Sequence, residues 1–144
     1  MAFEFQYSIE LMIVHPSIDP SIITKQIIEL RPRTEIKVGT EIVSPRGFPT
    51  GRKAQSSVWS ASLHDAKRLY SEVNPISQFI GDRLTNLERH REFLRDLSDG
   101  GYVVLRIDWF SETSHSASCL ESGVVRRCAD FGLGIELNFY ASVA

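Results

Sequence analysis

Phe3, Phe5, Tyr7, Ile9, Leu11 and Ile13 alternate with Glu4, Gln6, Ser8 and Glu10, a period-two pattern that buries one face of a strand and leaves the other wet. The surrounding unit recurs. Tyr7 to Leu30 reads as strand, polar turn and amphipathic helix, and Tyr102 to Leu133 reads the same way. A chain with two such units lays helices on a sheet, because each strand and each helix has an apolar side that only the other can cover.

The 144 residues suffice for a single domain (1-144) that buries roughly two thirds of its extended surface without help from metal or disulfide. Apolar residues at 42% and charged residues at 24% exclude the low-hydrophobicity, high-charge signature of disorder. No apolar run approaches a membrane span. The opening MAFEFQYSIE lacks the basic start and continuous apolar segment of a secretory signal, so a cytoplasmic protein with no membrane partner is expected.

Further elements follow from caps and periodicity. Asp19-Pro20 supplies an N-cap acceptor with proline at the first helical position, Ile23, Ile27 and Leu30 share a helix face, and Pro32 stops it. Short strands are expected near Glu35 to Val38 and Glu41 to Val43, then an exposed loop, then a strand from Val58 to Leu63. Asn74-Pro75 opens one long helix striped by Ile76, Ile80, Leu84, Leu87, Leu94 and Leu97, with Arg83, Glu88, Arg89, Glu92 and Arg95 mostly outward. Gly100-Gly101 is expected to end it in a left-handed cap. Tyr102 to Phe110 is a strand burying Val103, Leu105, Ile107 and Trp109. Ser118-x-x-Glu121 reads as a capping box for a helix on Leu120, Val124, Cys128 and Phe131. After Gly132 or Gly134 comes a last strand with Ile135, Leu137 and Phe139 inward. The expected fold is thus α+β: a single domain with a mostly antiparallel sheet of four to five strands and helices packed on one face. Its order is the ferredoxin-like β-α-β-β-α-β plus an additional α-β.

The segments YSIELMIVHPSIDPSIITKQI, VWSASL and CADFGLGIELNFYA resemble a bacterial family known as domain of unknown function 4279. The resemblance covers roughly Tyr7 to Tyr140 and rests on strand alternation, an Asp-Pro helix start, a Trp-bearing strand and a late helix with a glycine exit. It implies a single domain of this fold and carries no catalytic residues onto this chain.

Several constellations bear on chemistry. Cys119, in the first turn of a helix capped by Ser118, would gain thiolate character from free amides and the helix dipole. His115 would then be its base, with Asp108 or Glu112 to orient it. The plainer reading makes Cys119 a small side chain suited to a first turn. Cys119 and Cys128, nine apart on one helix, would lie roughly 13 Å apart, out of disulfide reach, so both are expected reduced. His115, Cys119 and Cys128 lack zinc spacing; His15-Pro16 with Asp19 offers a ligand pair at a strand end, against the plainer reading of His15 as a loop residue, and no metal or other cofactor is expected. Gly47 to Lys53 departs from a phosphate loop, because Arg52 intervenes before the lysine and Ala54 follows it.

Charge is segregated. Between Arg31 and Lys53 six basic residues face Glu35 and Glu41, so with a chain total of −2 the remainder carries −6. Arg46, Arg52 and Lys53, near Phe48 and Trp59, form a basic loop able to hold a phosphate backbone, although a solvated loop is the simpler reading and nucleic acid is disfavoured as a partner. On the sheet side away from the helices, alternation displays Glu4, Glu10, Asp108 and Glu136 against Arg106, the opposite of an RNA-binding platform. These features lead to the expectation of a non-enzymatic protein-interaction domain. It would cover a basic protein partner with its acidic face, in the manner of an immunity protein, or form a homodimer there, and the basic loop with Arg46, Arg52 and Lys53 would be a second, separate contact surface. The alternatives are a small-molecule or enzymatic site near Cys119 and His115, and weak nucleic-acid binding through the loop 46-53.

Overall fold

A computed structural model describes residues 4–141; Phe3, placed at the head of the alternation, lies outside the described residues. The chain runs β1 (Gln6–His15), α1 (Pro20–Gln26), β2 (Pro32–Ile36), β3 (Glu41–Val43), β4 (Pro49–Lys53), β5 (Ser57–Ser62), β6 (Leu69–Tyr70), α2 (Ile76–Asn86), a 3-10 turn (Glu88–His90), α3 (Arg91–Gly100), β7 (Tyr102–Ser111), α4 (Ser122–Asp130) and β8 (Gly134–Ala141). Among the described residues the main sheet has six strands, in the order β2-β5-β1-β7-β8, with β6 also on β1. The fold is α+β and the sheet mostly antiparallel; β8 lies parallel to β7. Without β8, the order β7-β1-β5-β2 is a split βαβ in which β5 sits antiparallel between β1 and β2, as the ferredoxin-like element order requires.

Alternation on β1 decides which face is buried. Phe5, Tyr7, Ile9, Leu11 and Ile13 are at most 5% exposed. They share one core with Trp59, Ala61, Leu105 and Ile107 from neighbouring strands, Ile23 and Ile27 from the first helical segment, Ile80 and Leu84 from α2, Leu94 and Leu97 from α3, and Cys128 and Phe131 from the last helix. All four helices therefore lie on the same side of the sheet. The cap on α1 forms as the sequence indicates, with the Ser21 N–H donating to Asp19 Oδ1 at 3.0 Å and Pro20 in the first turn. Hydroxyls fasten the loops to this frame. Ser57 Oγ donates to the Ile18 carbonyl at 2.6 Å and accepts from the Val38 N–H, and Trp59 Nε1 donates to Thr24 Oγ1.

The structure corrects several expectations. The first helix closes at Gln26, and Pro32 begins β2, which spans Pro32–Ile36 rather than residues 35 to 38. The expected loop 44–56 contains β4, which pairs with β3 as a separate hairpin turning at Gly47. The long helix is interrupted at Leu87 by the 3-10 turn. There is no glycine or proline at the break; it coincides with His90 turning into the interior against Glu29, so the leucine stripe runs through it unmarked. Gly101 makes no left-handed cap, since its φ is −153. It is needed because a Cβ there would stand 2.4 Å from the Val14 carbonyl oxygen. A helix exit through a glycine with positive φ occurs instead after α4, at Gly132 with φ +72.

Two corrections bear on candidate sites. α4 begins at Ser122, and Ser118 caps nothing. The segment before it is held against α2 instead, with Ser77 Oγ donating to the Cys119 carbonyl at 2.9 Å and accepting from the Glu121 N–H at 2.9 Å. On β8, Leu137 and Phe139 stand in register with Ile107 and Trp109, the expected side. They are nevertheless 46% and 68% exposed, because β8 is the sheet's edge and the core reaches only to Ile135.

Candidate functional site

The face opposite the helices carries a charge cluster built by strand register. Glu10 lies across from Arg106, and Arg106 across from Glu136; Asp108 follows two residues along β7 on the same side. Arg106 thus sits among three carboxylates, 3.7 Å from Glu10, 3.8 Å from Asp108 and 3.2 Å from Glu136. Arg33 from β2 approaches Glu10 at 3.5 Å. The structure therefore brings together Glu10, Arg106, Asp108 and Glu136 and adds a second cation that alternation did not reveal. The cluster is three acids to two bases, less negative than four to one. Glu4 stands apart, exposed ahead of β1 beside Gln6, Phe110 and Glu112.

The cluster is only partly satisfied. Asp108 Oδ1 is buried without a hydrogen-bond partner, because Arg106 Nε at 3.8 Å is beyond hydrogen-bond range; Arg106 Nε itself is ion-paired with Glu136 Oε2 at 3.2 Å. At the far end of the same face Phe110 and Tyr140 stack, centroids 5.0 Å apart, and the Arg68 guanidinium lies 3.7 Å over the Phe110 ring. The face is thus not wholly acidic, but its aromatic pair is already capped by a cation.

Arg46, Arg52 and Lys53 are exposed on the hairpin, together with Phe48 at 66%. They form a projection separate from the main sheet, and Lys53 lies across from Glu41.

The first-turn placement of Cys119 is corrected. Cys119 is exposed in the connection before α4 rather than in the first turn of the helix. The shallow cleft that it lines, with Ser118, Ser77 and Arg127, does not include His115. Cys128 is buried and unpaired, with its thiol pushed up by burial. His15 Nδ1 accepts from the N–H groups of Ser17 and Ile18 and so shapes a turn. Among the described residues no three or more His, Cys, Asp or Glu side chains cluster in a way that would hold a metal ion, and no helix is long and apolar enough to cross a membrane.

Sequence reasoning missed a second grouping. Burial, then the Arg89 charge, holds His90 below its ordinary value. His90 Nε2 lies 2.5 Å from Glu29 Oε2, and we read the contact as a neutral imidazole N–H on a carboxylate rather than an ion pair. Arg89 pairs with the other Glu29 oxygen. Beside this group opens a cleft of about 870 Å³ between residues 28–33, the end of β5 and the second half of α2. His64 lines it as a neutral ring, its pKa lowered chiefly by burial, with Nε2 accepting from the Ile9 N–H and Nδ1 2.6 Å from the Ala66 carbonyl. The available sequence signal was the spacing of Arg31 and Arg33 about Pro32; nothing in the helical period turned Arg83 toward them.

Comparison with models of known families, with curated proteins and with solved structures finds no match, so the resemblance noted above stands on the quoted residues alone.

Proposed function

We propose that this chain is a cytoplasmic, bacterial, non-enzymatic interaction domain that docks a basic protein partner on its helix-free sheet face. One observation carries the reading: Glu10, Asp108 and Glu136 ring Arg106 on that face, and the Asp108 Oδ1 acceptor is left without a hydrogen-bond partner. An unsatisfied buried polar group costs about 1–3 kcal/mol, and a partner's lysine or arginine inserted beside Asp108 would recover that cost. The carboxylates also steer a cationic surface toward the face. An immunity-like role, in which the partner is a toxin covered at its own basic site, is the narrower form of this proposal.

The test is retention from a lysate of the source cells by the wild type and by Glu10→Gln/Asp108→Asn/Glu136→Gln, checked for equal folding. The reading expects a basic protein held by the wild type, released by added salt and lost by the variant. Equal retention on both, or retention only of a second copy of this chain, overturns it.

A second reading, nucleic-acid binding through Arg46, Arg52 and Lys53, is favoured by their joint exposure with Phe48 on a separate hairpin. It requires single-stranded oligonucleotide binding that weakens steeply with salt. Absence of binding at low ionic strength removes it.

A further inference from the structure

We propose that the cleft between residues 28–33, the end of β5 and the second half of α2 is a binding site for a small phosphorylated molecule with an apolar body. Its volume, about 870 Å³, falls within the range of small-molecule sites. Arg31 and Arg33 line one wall and Arg83 another, over a base that includes the buried Leu63 and Leu87. The Arg83 guanidinium is held 4.8 Å over the Phe79 ring, and its buried Nε has no partner. That side chain is therefore positioned by packing, which preorganises its guanidinium for an oxyanion; the Nε itself is enclosed.

The acids in the cleft do not cancel this charge. Glu29 is engaged by Arg89 and His90 and Arg33 by Glu10, leaving Asp65 against the guanidiniums of Arg31 and Arg83. A carboxylate occupies one guanidinium fork; Arg31 and Arg83 on two walls, with Arg33 beside them, suit the larger charge and tetrahedral oxygens of a phosphate ester. His64 has both ring nitrogens engaged, so it acts as wall rather than ligand. Ile28, exposed on the same lining, accounts for the apolar body of the ligand, because a bare ion would leave it wet.

The experiment is calorimetric titration at fixed ionic strength and pH 7.5 with inorganic phosphate, phenyl phosphate and benzoate, on the wild type, Arg83→Met, Arg31→Gln and Arg95→Gln. The proposal expects saturable binding with phenyl phosphate tightest. Arg83→Met and Arg31→Gln each weaken it about tenfold, and Arg95→Gln, exposed on α3 away from the cleft, leaves it unchanged. Arg31 is exposed, so its variant keeps the test decisive should Arg83→Met not fold. Benzoate binding as tightly as phenyl phosphate, binding unaffected by Arg31→Gln, or no saturable binding by millimolar phenyl phosphate overturns the proposal. None of these outcomes depends on the opposite face of the sheet.

Discussion

Replacing Ser77 with alanine removes one hydroxyl that both accepts from the Glu121 N–H and donates to the Cys119 carbonyl, each at 2.9 Å. Those two contacts fix the connection ahead of α4 onto α2. Each hydrogen bond contributes about 0.5–1.5 kcal/mol net, so Ser77→Ala should cost about 1–3 kcal/mol. In a domain of this size that lowers Tm by roughly 3 °C per kcal/mol. Ser118→Ala is the internal control. Ser118 is exposed and caps no helix, so its loss should stay within about 0.5 kcal/mol. Urea denaturation of both variants at 25 °C, with unchanged m-values, measures the difference directly. If Ser118→Ala costs as much as Ser77→Ala or more, α4 starts at a capping box and the account of this region fails.

Gly123 lies inside α4 with open space where a Cβ would go, so Gly123→Ala should stabilise by about 0.5–1 kcal/mol. Gly132→Ala should destabilise by more than about 1 kcal/mol, because φ is +72 and the new Cβ would stand 2.9 Å from Ser98 Cβ. Denaturation midpoints check both. His64 and His90 are held below their ordinary value of 6.5 in the fold. The unfolded chain therefore binds more protons as pH falls, and stability present above about 6.5 is lost as pH drops through that value toward the folded pKa values; a flat stability profile from pH 7.5 to 5 would refute this. Tyr7, pushed up to about 12 by burial from 10.0, has the reverse sign, with stability falling as pH rises between those values and the slope reduced in Tyr7→Phe. Arg106→Gln leaves three neighbouring carboxylates without their shared cation and should cost about 1–2 kcal/mol at pH 7, discounted for partial exposure.

Periodicity made the sheet and its buried face legible. The two-residue rhythm of β1 and β7 records burial on one side, and the Asp19-Pro20 cap is a local chemical event. What stayed hidden depends on contacts remote in sequence. The break at Leu87 has no residue of its own to announce it, because His90 and Glu29 meet across 61 positions. The late start of α4 is set by Ser77, 42 residues from the carbonyl it binds. Alternation placed Glu10, Arg106, Asp108 and Glu136 on one face but gave no register, so neither the pairing through Arg106 nor the approach of Arg33 could be read. Leu137 and Phe139 were assigned the right side of the sheet, yet a strand's rhythm carries no information about where the helices above it stop.

The most direct measurement for the docking face is zero-length carbodiimide cross-linking of the purified complex, which joins carboxylates to partner lysines in contact. The account expects cross-links from Glu136 and Asp108, with Glu4 at the margin. Cross-links confined to helix-side carboxylates such as Glu92 and Asp96 on α3 would contradict it.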